Sequence, residues 1–336
     1  MSLLVLNKLL AIFVTVALGW VAGRMRWLGE ASGGTDPART MANATFFIFV
    51  PALLFRTTAR LDLAAMPWRT VAAYYTPVLA MLLGAYAIAR WRGRHDAGAD
   101  LAAGEQAAAG PSVRAIQLSF GNGVQIGIPT VTALFGEPGL AVLVTLISLH
   151  ALLLLSVLTA LVETDLARMR SRHDASAGLW RTLRATVRNT LIHPVVLPVL
   201  AGMAWQLTGW RLPGPVDETL QLLATGVAPL ALVLIGISLA YYGARSAIGR
   251  SAVMALGKLL ALPAAVLVVA HWGFGLSGLP LSVVVTMAAL PCGSNALIFA
   301  QRYASHEAET TAAIVLSTLG FVLTAPLWLA VLAWVG

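Results

Sequence analysis

Charge is what this chain has least of. Only 11% of its 336 residues are Asp, Glu, Lys or Arg, where a soluble domain carries about a quarter. Acid is scarcer than base, with 14 Asp and Glu against 22 Lys and Arg, a formal net charge of +8. Cysteine is almost absent. The single Cys292 excludes internal disulfides and any multi-cysteine metal site. So little charge excludes an ordinary soluble enzyme, and a hydrophobic content of 59% excludes a disordered chain. The excess of base suggests nucleic acid, but the Lys and Arg lie in short loops between long apolar runs. That is the pattern of a multi-span membrane protein with basic loops in the cytoplasm. The partner this implies is a lipid bilayer and no nucleic acid.

The apolar runs read as about ten spans, each near the ~20 residues that cross a bilayer. The first five are Leu3 to Val21, Met41 to Phe55, Val71 to Ala89, Val113 to Phe135 and Leu140 to Val162. The second five are Leu191 to Leu207, Leu220 to Tyr241, Val253 to Phe274, Leu281 to Tyr303 and Ala312 to Trp334. The runs are too long and too uniformly apolar for barrel strands, so the expected fold is an all-α integral membrane protein. No basic residue precedes the first run, which also exceeds the usual signal-peptide core. It reads as a retained helix.

Labelling loops alternately puts seventeen of the 22 Lys and Arg on one side and five on the other. The rich side is cytoplasmic, and both termini then face outward. Lys258 falls within the eighth span, close enough to the cytoplasm to snorkel. Residues 91 to 111 read as a mobile linker of Ala, Gly and mixed charge. Residues 165 to 188 carry six Arg, which set topology or hold a short helix on the anionic leaflet.

That basic stretch divides the chain into residues 1–164, the linker 165–188, and residues 189–336. Five spans per half force the halves into opposite orientations, the inverted-repeat plan of many secondary transporters. Pro51 and Pro229 sit in the second span of each half. The fourth spans of each half read SFGNGVQIGIPTV and LPCGSNALIFA. Gly, Pro and Asn in mid-span predict broken helices. In lipid such a break survives only inside protein or beside a wet cavity. It frees N–H groups that hold an anion, and Asn122 and Asn295 add side-chain donors. The alternative is packing, with Gly allowing close approach and Asn bonding a neighbouring helix.

Four stretches, VPALLFRT (50–57), GNGVQIGIPTVTALFGEPGL (121–140), APLALVLIGISLA (228–240) and LPCGSNALIFAQRYASHEAETTAAIVLSTLGFVLTAPL (290–327), resemble the auxin efflux carrier family. That family includes plant PIN-type auxin transporters and bacterial carriers assigned to malonate or malate. The resemblance implies ten transmembrane helices as two inverted five-helix repeats, with broken helices 4 and 9 crossing. It implies a scaffold of spans 1, 2, 6 and 7, a transport domain of spans 3–5 and 8–10, and elevator-like alternating access. The substrates would be small organic anions, moved outward or exchanged across a bacterial inner membrane. The scaffold is also where a homodimer would form.

By motif, Asn122 matches the plant residue facing the substrate carboxylate, and Gly127, Ile128 and Pro129 match the turn that follows. Pro291 and Gly293 match the ninth-span motif. The candidate substrate-binding residues are Asn122, Gly123, Gln125, Pro129, Pro291, Gly293, Ser294 and Asn295, with Gly127, Pro51 and Pro229 as helix-break or scaffold positions. Plant members have a second proline where this chain has Ala296 beside Asn295, and Asn-Pro-Asn where it reads His193, Pro194, Val195. These departures favour a carboxylate smaller than auxin.

No Asp or Glu lies inside the spans as bounded above, and His150 is the one deep His. It reads as a titrating group or as an interhelical hydrogen bond. No cofactor or metal is expected. An outward-moving monovalent anion gains ~2.3 kcal/mol per 100 mV from the membrane potential, which suffices without a coupling ion. Coupling to Na+ or H+ stays open. An intramembrane enzyme would need a nucleophile–base pair or a metal cluster, and the sequence has neither. An anion channel or membrane sensor on the same helices is the alternative reading.

Overall fold

The computed structural model describes residues 3–29, 37–60, 66–93, 101–173, 188, 191–192, 194–242 and 248–335. His193 and most of the basic stretch 174–190 lie outside the described residues. The helices are α1 (Leu3–Arg24), α2 (Pro37–Ala59), α3 (Trp68–Gly93), α4 (Leu101–Ser119), α5 (Ile128–His173, kinked at Gly136, where the backbone leaves the helix at φ +64° and the fourth span passes into the fifth) and α6 (Val196–Leu207). They continue as α7 (Gly214–Tyr242), α8 (Ile248–Gly273), α9 (Gly278–Ala289), α10 (Asn295–Arg302) and α11 (Glu307–Val335). Among the described residues there is no strand, only an isolated antiparallel bridge between Gly121 and Cys292.

Six of these helices contain stretches long and apolar enough to cross a membrane: Pro37–Ala59, Trp68–Arg92, Thr130–Met169, Gly214–Tyr241, Ile248–Gly273 and Glu307–Val335. Shorter apolar helices run over Phe13–Arg24, Val196–Leu207 and Gly278–Ala289. The protein is therefore an all-helical, multi-pass membrane protein. Its outward-facing surface is apolar, with Leu222, Leu323 and Trp334 largely exposed. Exposed tryptophans cluster at helix ends, at Trp27, Trp68, Trp91, Trp210, Trp272 and Trp334, where amphipathic rings sit at headgroup level.

Helix packing follows small residues. α1 lies along α7, and a methyl group on Gly19 would fall 2.2 Å from the Val233 carbonyl oxygen. Likewise, one on Gly236 would fall 2.0 Å from the Val16 oxygen. The C-terminal half of α2 packs on α6 through Gly202, where a methyl would meet the Phe55 oxygen at 2.6 Å. In lipid such backbone approach supplies the packing that water-driven burial supplies elsewhere.

Two expectations are corrected here. The supposed linker 91–111 is helical from Leu101 onward, with Ala109 fully buried. Its Ala and Gly are poor in hydropathy but suited to tight packing: a methyl on Gly110 would stand 2.8 Å from the His306 ring. At the other end, α5 runs past residue 164 to His173. Buried Asp165 accepts from Arg90 and, at 2.7 Å, from the Tyr86 hydroxyl. The helix tolerates that acid because an arginine from α3 meets it.

Helix continuity also differs from the proline positions. α2 passes through Pro51 by widening into a π turn over Thr45–Phe49, which accommodates the ring and the missing donor. α7 passes through Pro229 without interruption.

Candidate functional site

Span four breaks at Phe120–Asn122, between α4 and a π turn over Gly123–Gly127. Span nine breaks at Leu290–Ser294, between α9 and α10. The two breaks lie side by side and complete one another. The Asn122 N–H donates to the Pro291 carbonyl at 2.9 Å, and the Gly293 N–H donates to the Phe120 carbonyl at 2.9 Å. Backbone groups that leave a helix in lipid must find partners inside the protein, and each break supplies the other's. Glycine permits the approach: a methyl on Gly293 would lie 2.8 Å from the Phe120 ring and 3.0 Å from the Gly121 oxygen.

Three side chains from other helices brace this crossover. The Gly121 N–H donates to His150 Nε2 of α5 at 3.0 Å. That bond puts the proton of a neutral ring on Nδ1, an atom with no hydrogen-bond partner. The Phe120 ring packs on the imidazole, centroids 4.6 Å apart. The Cys292 N–H donates to Ser317 Oγ of α11 at 3.0 Å. Lys258 Nζ of α8 donates to the Ala288 and Leu290 carbonyls at 2.7 and 2.6 Å.

Lys258 corrects the sequence reading. Its side chain is fully buried and points to the C-terminal end of α9. It does not snorkel, because the freed carbonyls at that helix end give the ammonium partners within the protein. Removing it from the loop tally leaves the positive bias intact.

Asn122 begins the π turn. Its Oδ1 accepts from the Gln125 N–H at 3.3 Å and its carbonyl from the Gly127 N–H at 3.0 Å. Gln125 Nε2 reaches across to the Ala228 carbonyl, beside Pro229, at 3.3 Å. The chain is already turning at Gly127 and helical at Ile128 and Pro129, so the break precedes the Gly-Ile-Pro motif. In the other half, Ser294 immediately precedes α10, Asn295 opens it, and the Ala296 N–H returns to the Gly293 carbonyl at 3.0 Å.

Two cavities flank the crossover. One of ≈ 100 Å³ is lined by Leu53 and Thr57 of α2, Ile147 and His150 of α5, Gly121, and Asn295. The other, of ≈ 310 Å³, is lined by Phe13 and Trp20 of α1, Ile235 of α7, Ile314 and Thr318 of α11, and Asn122. Of the eight substrate-site candidates, Asn122, Pro291 and Gly293 take part in the backbone bonds of the crossover, and the two asparagines border different cavities. Gly123 lines the smaller cavity.

Sequence reasoning did not assign Lys258 or Ser317 to the site, and left His150 between two roles. A lone cation inside an apolar run was the available signal for Lys258. Ser317 offered none, since a hydroxyl in a helix ordinarily bonds its own backbone. Among the described residues no group of three His, Cys, Asp or Glu forms a metal cluster.

The chain matches the family model described as membrane transport protein over residues 4–329. It is 24% identical over 335 residues to an uncharacterized transporter of Methanothermobacter thermautotrophicus, covering 97% of this chain and 98% of that one. It is 22% identical over 236 residues to auxin efflux carrier component 8 of Arabidopsis thaliana, covering 59% and 64% of the two chains. It is 26% identical over 137 residues to a Rhizobium meliloti protein named "Putative malonate transporter", covering 41% and 43%. The matches to the plant and Rhizobium proteins thus span less than two-thirds of those proteins' lengths.

Proposed function

The chain belongs to the auxin efflux carrier family of membrane transport proteins, and from that premise we propose that it is a secondary carrier of small organic anions working by alternating access. The observation that carries the reading is the paired break with a cavity on each side. The starts of the π turn and of α10 and the side chains of Asn122 and Asn295 meet there inside an otherwise apolar bundle, a setting suited to a carboxylate.

Ten spans in two inverted repeats account for the pairing of the cavities. Exchanging halves maps the seventh span onto the second and the tenth onto the fifth. The larger cavity is bordered by spans one, seven and ten, and the smaller by spans two and five. With the basic loops in the cytoplasm, the larger cavity occupies the inner half and the smaller the outer half. The first, second, sixth and seventh spans, which pack on one another, form the scaffold. The crossover moves with the rest and takes the anion from one cavity to the other.

The size of the smaller cavity, ≈ 100 Å³, is that of roughly three waters. A short carboxylate such as malonate or lactate suits it better than an indole acid. The membrane is a bacterial inner membrane with both termini outside; the inside-negative potential favours efflux of an anion, and exchange is the other mode of the same carrier.

The test is charge movement in proteoliposomes on a solid-supported membrane, with malonate, malate, succinate, lactate and indole-3-acetate. Each is applied with and without sodium and a pH gradient. A saturable current for a short acid, lost in Asn122→Ala and Asn295→Ala, is the expected result. Full transport in both variants would place the site elsewhere. Cysteine pairs cross-linked between α7 and α11 should stop flux, and undiminished flux would remove the sliding motion.

A further inference from the structure

Lys258 is an ionisable group that the binding reading above does not use. Its side chain is fully buried, and its ammonium has two carbonyl partners, Ala288 and Leu290. Among the described residues no carboxylate lies within ion-pair distance of it. The buried acids are engaged elsewhere, Asp165 with Arg90 and Glu309 with Arg114. An ammonium in a membrane interior without a counter-charge is costly, and carbonyl dipoles compensate it only in part.

Its position says what completes the compensation. A methyl on Gly121 would lie 3.6 Å from Lys258 Nζ, and Gly121 also lines the ≈ 100 Å³ cavity. With no side chain at that glycine, the ammonium comes close to a backbone residue that borders the cavity. The same ammonium covers the carbonyl end of α9. What the crossover offers the cavities is then net positive.

We propose that Lys258 is the built-in counter-charge of the transported carboxylate. The proposal rests on the carrier reading of the same site. The loaded crossover is electrically balanced for a monovalent anion, and the empty one carries a single positive charge. The voltage-dependent step is therefore the return of the empty carrier, and one-for-one exchange of a monovalent anion is insensitive to voltage. A resident ammonium also does the work of a coupling cation, so transport needs no sodium.

The experiment uses the full chain in proteoliposomes, with lactate and malonate as probes and Lys258→Gln and Lys258→Arg as variants. Lys258→Gln should raise KM for both acids roughly tenfold or more, with kcat changed less, and should make lactate exchange voltage-sensitive. Lys258→Arg should restore KM to within a few-fold. Cys292→Asp supplies an independent variant, because Cys292 lies two residues from Leu290, whose carbonyl holds the Lys258 ammonium. Its fixed carboxylate should occupy the ammonium and suppress transport of either acid.

An unchanged KM in Lys258→Gln, or normal transport by Cys292→Asp, overturns the counter-charge while leaving the carrier reading intact. Silence of the folded wild type toward every acid removes the carrier reading and this inference with it.

Discussion

The Asn122 amide donates to the Pro291 carbonyl at 2.9 Å, joining two helix breaks that stand far apart in the sequence. Proline has no N–H of its own, but its carbonyl is a full acceptor. The bond therefore uses what each residue retains. With its mate from Gly293 to Phe120 it turns two local defects into one rigid crossover, and three braces from α5, α8 and α11 hold that crossover in the bundle.

Gly293→Ala should disrupt this contact. The added methyl meets the Phe120 ring at 2.8 Å and the Gly121 oxygen at 3.0 Å, and the backbone atom has little freedom to yield. We expect a loss of about 1–3 kcal/mol, seen as a lower melting temperature in detergent, and a larger loss of transport. Gly84→Ala is the control, because nothing lies within 4 Å of its added methyl. In a helix that change is stabilising by up to about 1 kcal/mol.

Asn122 allows capping to be separated from binding. Asn122→Ala loses the acceptor for the Gln125 N–H and should cost about 1 kcal/mol. Asn122→Asp keeps that acceptor but adds a negative charge where an anion is to bind. Its melting temperature should stay near that of the wild type while carboxylate transport collapses. If both variants melt normally and transport normally, the residue neither caps nor binds.

His150→Ala should leave the Gly121 N–H without its acceptor. An orphaned buried donor costs roughly 1–3 kcal/mol. The readout is hydrogen exchange at the Gly121 amide, which should speed up in the alanine variant and recover in part in His150→Gln.

His306, in the turn between α10 and α11, should make stability depend on pH. Burial lowers its pKa below the ordinary 6.5, Arg114 of α4 and Arg250 of α8 add to the effect, and Glu309 of α11 opposes it. The folded chain therefore resists a proton that the unfolded chain accepts. The contribution of this group is fully present above pH 6.5 and is lost as the pH falls from there toward the lowered folded value. Melting temperatures should drop between pH 7.5 and 5.5, and His306→Gln should flatten that drop.

Much of the fold was legible before any coordinates. Apolar runs located the helices, and Gly, Pro and Asn inside two of them located the crossover. Those signals are local, and local propensity is enough to read them. Boundaries were less legible where composition and packing disagree. Residues 91 to 111 look like a linker because they mix Ala and Gly with charge, yet the small size of Ala109 and Gly110 is what lets α4 pack there. The Gly-Ile-Pro motif looks like the break because of Pro129. A proline in the first turn of a helix costs little, and the chain breaks earlier, at Gly121 and Asn122, where the break of the ninth span accepts its backbone.

By itself, the sequence determined that this is a helical membrane protein and where its interrupted spans fall. Each follows from hydrogen-bond satisfaction and charge transfer free energy along a single chain segment. Only the tertiary structure decided that the two breaks pair, that the asparagines border separate cavities, and that Lys258 turns inward. Whether a lysine near the end of an apolar run reaches for the headgroups or for freed carbonyls depends on which helix end lies within its reach. That is a long-range contact, and nothing in the residues flanking position 258 records it.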